Sequence, residues 1–302
     1  MSEKVYEASL DFFSYQVCRD GLLLLKIHEI ENRLLNHDGL DIHGVVSWWG
    51  EYLDYFNCLY LLLDSAVIKV MKLGYFDLAE VTNKDVFRIT FENGKEVGAS
   101  IAQESITSVY QMARYSSSYN MPPQFDPRLS RREILPKAVF DEVAKNLENV
   151  AQQKHLVSLL SSIAKGLSEY KVGNYTTSLT LAWFVIESVL LQKWMDCLES
   201  KNQTFPDGSK RISAERRKTL TGRDYTISVI LSILELTDIL SFPLYKKIDT
   251  VRGYRNKVIH QDQDYICEPD HCVMALEVAK ELSLEGTTLD IRLNTSFSIS
   301  SA

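Results

Sequence analysis

The sequence predicts a mainly α protein whose N-terminal part is mixed α+β, and three features carry that expectation. From Leu135 onward, apolar residues recur at helical spacing almost throughout. Upstream, Val86-Phe87-Arg88-Ile89-Thr90-Phe91 alternates as a strand does, Asn93-Gly94 is a strong turn signal, and Val97 to Ile101 supplies the return strand of a hairpin. Between these parts, Tyr115 to Arg132 contains three successive serines, Ser116 to Ser118, and prolines at 122, 123 and 127, a linker composition. The expected division is an α+β domain over 1–135, a helical domain over 136–285 and a mobile tail over 286–302.

At 302 residues the chain is long enough for two domains, each with its own core. Its 45% apolar and 24% charged content is that of an ordinary soluble globular protein. A formal charge of −7 argues against binding duplex nucleic acid over the whole surface, while leaving room for a local basic patch. Cysteines 18, 58, 197, 267 and 272 form no CxxC pair, and their odd number suits free thiols in a reducing cytoplasm. Met-Ser-Glu-Lys lacks the residue order of a signal peptide. The longest apolar run, Cys58 to Met71, contains Asp64 and Lys69 and is too short and too charged to span a bilayer. A cytoplasmic protein with no membrane partner is expected.

Taken in order, Trp48 to about Met71 carries Trp49, Leu53, Phe56, Tyr60 and Leu63, the pattern of a helix with one deeply buried face. Trp48, Trp49 and the nearby tyrosines either line a ligand pocket or pack the core; aromatics at helical spacing favour the core. Downstream, Pro136 suits a helix start, and Val139 to Val150 and Leu156 to Tyr170 have helical periodicity. Asn174 or Thr176 can cap the next helix, whose stripe is Leu179, Trp183, Ile186, Leu190 and Trp194, with Glu187 at its edge. A carboxylate there is either exposed or met by a cation, for which Arg255 is the natural candidate. Thr226 to Leu240 is a strongly apolar helix, Phe242 to His260 is opened by Pro243, and Glu268-Pro269 opens a last helix to about Leu284. An up-and-down arrangement of these helices satisfies the bundle rules.

Lys201 to Arg223 differs in kind. Lys201, Lys210, Arg211, Arg216, Arg217, Lys218 and Arg223 against Asp207 and Glu215 leave +5 in an acidic chain, on a loop that turns at Pro206 to Ser209 and leads into a short helix. It is either an RNA-phosphate contact, weakened by salt, or a plain solvated loop.

The chemistry concentrates in Val251 to His260. Leu244, Ile248, Val251 and Val258 share one helical face, and Arg255 projects from its middle. A guanidinium cannot simply lose its proton, so if buried it needs a carboxylate or phosphate partner. Arg255 is therefore either half of a structural ion pair or part of a site. Asn256 and His260 share a stripe with Arg252, whereas His260 lies about 140° round the helix from Arg255. Arg255 and His260 converge only if the helix unwinds at its end or a two-fold axis brings a second copy alongside. Nothing in the N-terminal half offers a phosphate loop, a metal cluster or a nucleophile with its base. His260, Cys267, His271 and Cys272 fit no common zinc spacing, and no nucleophile-elbow sequence is present. No cofactor or metal is expected.

Arg255-Asn256 followed by three residues and His260 resembles the signature of the HEPN superfamily, all-helical domains found in many metal-independent ribonucleases. The resemblance covers about half of the chain. It implies a HEPN-like helical bundle and a metal-independent endoribonuclease that cleaves single-stranded RNA, the ribose 2′-hydroxyl attacking the adjacent phosphate to leave a 2′,3′-cyclic end. Arg255 would face the developing phosphorane charge. His260, with an ordinary pKa of roughly 6.5, would move the proton. Asn256 would orient phosphate or imidazole, and Glu187 would hold the guanidinium. The resemblance further implies a homodimer with a composite cleft, a role as a toxin or anti-phage defence effector, and a neutralising protein partner. RNA contacts fall on Arg211, Arg216, Arg217, Lys218, Arg252 and Lys257. Gln261 stands where a common form of the motif has Gly. Asp262 stands where toxins silenced by tyrosine adenylylation carry Tyr, so that control is not expected. Two other readings stay open: a catalytically silent HEPN module that binds nucleotide or RNA or dimerises, and a structural bundle in which Arg255 and Glu187 form a buried pair.

Overall fold

The computed structural model describes residues 4–19, 21–35, 42–72, 78–92, 95–115, 134–260 and 265–295. Among them are ten helices and two small antiparallel sheets, a mainly α fold with an N-terminal α+β part, as the sequence leads one to expect. The chain divides into two compact units, one running to Ala164 and one from Lys165 to Thr295, so the division falls inside a helix.

The first unit opens with a meander of β1 (Lys4–Ser9), β2 (Phe13–Cys18) and β3 (Leu23–Ile27). The central strand β2 alternates buried Phe13, Tyr15 and Val17 with half-buried Ser14 and Gln16, the period of two that one covered face imposes. The turn into β3 uses Gly21 at φ 87°, a conformation open to glycine at no steric cost, which lets Cys18 N donate to Leu22 O at 2.9 Å. Helix α1 (His28–Leu35) follows directly.

Helix α2 (Ile42–Met71) starts six residues before the expected Trp48. Tyr52, Tyr55, Cys58, Leu59, Leu61, Leu62, Ala66 and Val67 are all buried, so it is covered on most of its circumference. Asn57, also buried, binds Val81 twice through its amide, accepting from Val81 N at 2.8 Å and donating to Val81 O at 3.0 Å. The expected hairpin is present as β4 (Phe87–Glu92) and β5 (Lys95–Ile101), in register Phe87 to Ile101 and Ile89 to Ala99, with an irregularity at Thr90/Phe91. Its Asn93-Gly94 turn lies outside the described residues, as do 116–133 of the expected linker beyond α3 (Ile106–Tyr115).

Helix α4 (Lys137–Val150), expected at the head of the C-terminal bundle, instead packs on α2 within the first unit. Val139, Val143, Leu147 and Val150 form its buried stripe, and Lys69 pairs with Glu142 at 3.2 Å. Helix α5 (Lys154–Lys171) crosses the division.

The second unit is built on α6 (Tyr175–Ser200), against which α8 (Ile227–Leu236), α9 (Phe242–Ile259) and α10 (Pro269–Ser283) pack, with α9 also meeting α8 and α10. Leu179, Trp183, Ile186, Leu190 and Trp194 of the expected stripe are all buried. The expected mobile tail from Gly286 is packed as far as Thr295: Leu289, Ile291 and Asn294 are buried, and Tyr170 Oη donates to Thr295 O at 2.9 Å. Residues 296–302 lie outside the described set. No helix among the described residues is long and apolar enough to cross a membrane.

Candidate functional site

Helix α9 begins where the Ser241 hydroxyl accepts from Leu244 N at 3.4 Å, with a proline in the first turn. Leu244, Ile248 and Val251 are buried, which fixes the rotation of the helix and carries Arg255 onto the same inward face one turn later. The side chain is half-buried and its Nε is sealed from solvent without an acceptor. Its Nη1 donates to the neighbouring Asn256 Oδ1 at 3.2 Å, and its Cζ stands 6.0 Å from the ring centroid of buried Trp183 on α6. That is a cation–π contact, worth about 0.5–1 kcal/mol at an exposed site and more when desolvated. Among the described residues no carboxylate forms an ion pair with Arg255.

The expected Arg255–Glu187 pair is therefore not formed. Glu187 is half-buried one turn beyond Trp183 on α6, and no cation is bonded to it among the described residues. The physical reason is that the indole face holds the guanidinium, while the Asn256 amide oxygen takes an Nη1 hydrogen.

His260 is the residue at which α9 stops. Its backbone, at φ −80° and ψ 6°, leaves the helix while its N–H still donates to Asn256 O at 2.9 Å, and its side chain is exposed. No hydrogen bond joins its imidazole to Arg255. Within one chain the guanidinium faces inward toward Trp183 and the imidazole stands in solvent at the helix end.

The expected RNA-contacting cations fare unequally. Arg252 is neutralised on its own helix by Asp249, whose Oδ1 accepts from Nε at 3.0 Å and Nη2 at 2.7 Å. Lys257 Nζ lies 5.5 Å from the Tyr265 ring centroid. The basic segment is an ordered turn leading into the short helix α7 (Ala214–Leu220), as expected. Thr204 and Lys210 form a β-bridge, Gly208 sits at φ 81°, and the Ser209 side chain and backbone both donate to Asp207, holding that carboxyl below its usual range. Buried Ile212 anchors the turn, and Ser213 Oγ caps α7 by accepting from Arg216 N at 3.2 Å. Arg217 pairs with Glu199, and Arg216 Nη1 donates to Arg211 O at 3.0 Å, leaving Arg211 and Lys218 exposed. The segment returns to α6 where Trp194 Nε1 donates to Leu220 O at 2.9 Å. That point is about 16 Å of helix rise from Trp183, so Arg211, Arg216, Arg217 and Lys218 are not gathered around Arg255.

Three contacts beside the motif, all made by His271, have no counterpart in the sequence expectations. Tyr254, adjacent to Arg255, stacks on His271 of α10 with centroids 4.0 Å apart. His271 Nδ1 accepts from Glu268 N at 3.2 Å and faces Tyr265 Oη at 3.0 Å, so the neutral ring carries its proton on Nε2. The signal for the Glu268 contact was available: Glu268 and His271 stand three apart around Pro269, the spacing of a capping box. Among the described residues no group of three or more His, Cys, Asp or Glu could hold a metal ion.

The chain matches no family model, no curated protein and no solved structure.

Proposed function

We propose that this chain is a HEPN-type endoribonuclease that cuts single-stranded RNA without a metal, through Arg255 and His260 contributed across a homodimer, and that it acts in the cytoplasm as a toxin or anti-phage defence effector held in check by a protein partner. One observation carries the reading. The Arg255 guanidinium has no carboxylate partner among the described residues and a sealed Nε without an acceptor, an arrangement that is costly until an anion arrives.

In this reading a phosphodiester supplies the guanidinium with the anionic partner it lacks among the described residues. His260 takes the 2′-hydroxyl proton as oxygen attacks phosphorus, or returns a proton to the departing 5′-oxygen. Arg255 faces the charge that gathers on the equatorial oxygens. Asn256 keeps the guanidinium fork oriented. Because the imidazole and guanidinium of one chain do not meet, the second copy supplies one of them.

The test is cleavage of a labelled single-stranded RNA by full-length protein in the presence of a chelator. Products ending in 2′,3′-cyclic phosphate, lost in His260→Ala, are the expected result. A requirement for added magnesium, or unchanged cutting by His260→Ala, removes the reading. Light scattering supplies the second arm: a strict monomer with full activity eliminates the composite cleft. RNA retained without turnover by both proteins would favour the catalytically silent module.

A further inference from the structure

We propose that Cys267 and Cys272 are a dithiol that oxidants of the peroxide class close into an intramolecular disulfide. The inference stands apart from the ribonuclease reading, because it concerns the start of α10 and is read out by the mass of a peptide.

The placement comes from helix capping. Glu268 is the N-cap of α10 and forms the capping box with His271. That puts Cys267 just before the cap and Cys272 four residues into the helix, the two positions that pack together as a hydrophobic staple. Their sulfurs stand 3.7 Å apart, in contact but unbonded. A staple alone would be served by any pair of apolar side chains. What sets this one apart is its asymmetry. Cys272 is fully buried, whereas Cys267 is half-exposed on an irregular stretch whose backbone is not locked into a helix or strand.

The electrostatics divide the roles. The single S–H of Cys272 has two acceptors before it, Cys267 Sγ and the Tyr175 carbonyl oxygen at 3.0 Å. Hydrogen bonding from Cys272, with a further contribution from Tyr265, holds the Cys267 thiol below its ordinary range, while the same contact and burial push the Cys272 thiol up. Cys267 is thus the more accessible sulfur and the one whose thiolate forms more readily, and Cys272 is the protected thiol. The Cys267 thiolate attacks one oxygen of the peroxide, breaking the O–O bond to give a sulfenic acid and hydroxide, which takes a proton to become water. Cys272 sulfur then displaces the sulfenic hydroxyl, which leaves as a second water with the Cys272 proton. Two thiols are oxidised, one peroxide is reduced, and the staple becomes covalent.

The experiment uses the full chain, treated with hydrogen peroxide, alkylated and cut with trypsin. Both cysteines fall in one peptide, Val258 to Lys280. Expected is a loss of two hydrogens with no alkyl group taken up, and two alkyl groups after reduction. In Cys272→Ala, Cys267 should stop at a sulfenic acid captured by a dione probe; in Cys267→Ser, Cys272 should stay unmodified. Oxidation of Met274 in the same peptide adds oxygen and is separated by mass. Two alkyl groups after peroxide treatment, a Cys267 sulfinic acid beside an untouched Cys272 in the unaltered chain, or a Cys267 disulfide between two chains would each overturn the proposal. The Cys267→Ser arm alters only the exposed member, so it decides even if Cys272→Ala does not fold.

Discussion

Each unit of the molecule sets an arginine against a tryptophan, and the two pairs are finished differently. In the first unit, Arg88 Cζ lies 5.0 Å from the Trp48 ring centroid, and its Nη2 reaches Glu31 at 3.6 Å. Glu31 also accepts from Tyr52 Oη at 2.7 Å, and that oxygen accepts from Ile27 N at 3.2 Å, so the charge ends in a network tied to the sheet. In the second unit, Arg255 meets Trp183 at 6.0 Å and, among the described residues, bonds only to a neutral amide, Asn256. Both arginines keep a buried Nε without an acceptor. The difference is the carboxylate. Where it is present, the guanidinium ends in a structural network; Arg255 has no carboxylate partner among the described residues.

The largest effect should come from removing each guanidinium in turn. Arg255→Ala is expected to lower RNA cleavage by about 10²–10³-fold, the usual loss when one donor to a developing oxyanion is removed, whereas Arg88→Ala leaves cleavage unchanged. Single-turnover rates on one RNA decide this, and equal losses would erase the contrast. Stability should move the other way. Arg88→Ala strands partly buried Glu31 and should cost about 1–3 kcal/mol, while Arg255→Ala strands no carboxylate and should cost about 1 kcal/mol, both read from denaturant midpoints.

A sharper version supplies the missing carboxylate. Asn256→Asp places it where the amide oxygen already accepts from Arg255, and should stabilise the fold by up to about 1 kcal/mol while reducing cleavage by about tenfold or more. If stability rises and cleavage is untouched, Arg255 is not the phosphate-facing group.

The smallest effect concerns the first unit alone. Tyr6 Oη donates to Asp141 at 3.1 Å, and Lys137 clamps the same carboxylate at 2.7 Å. Burial, then the Asp141 hydrogen bond and charge, push the Tyr6 hydroxyl up to about 12. Its raised value means that the neutral form is favoured in the folded state. This contribution is fully present below about pH 10 and is lost as pH rises through about 12. Tyr6→Phe should flatten the alkaline limb of a plot of denaturant midpoint against pH, and an unchanged limb would disprove the assignment.

How much of this was legible in the sequence follows from what periodicity encodes. The face of α9 was readable because Leu244, Ile248 and Val251 repeat at helical spacing, and that placed Arg255 inward. Which residue of α6 would receive it was not readable: Trp183 and Glu187 are one turn apart on nearly the same stripe, and a pattern does not record how far one helix slides along another. For the same reason the pattern of Val139 to Val150 announced a covered face but not that α2 covers it. Phe13, Tyr15 and Val17 did alternate with Ser14 and Gln16, so β2 carried a readable signal, as did Leu289, Asp290 and Ile291 in the packed C-terminal stretch. The Cys267–Cys272 contact required recognising Glu268 as a cap, since five residues along an uncapped helix would put them on different sides.

The place where α9 stops has one more consequence. His260 owes its bearing to the count of residues since Val251, and no hydrogen bond to its ring is formed among the described residues. A single inserted residue in that turn would swing the imidazole by about 100° and turn Arg255 away from the indole, with every side chain of the motif still present. Length variation there, more than substitution, is the change this protein should tolerate least.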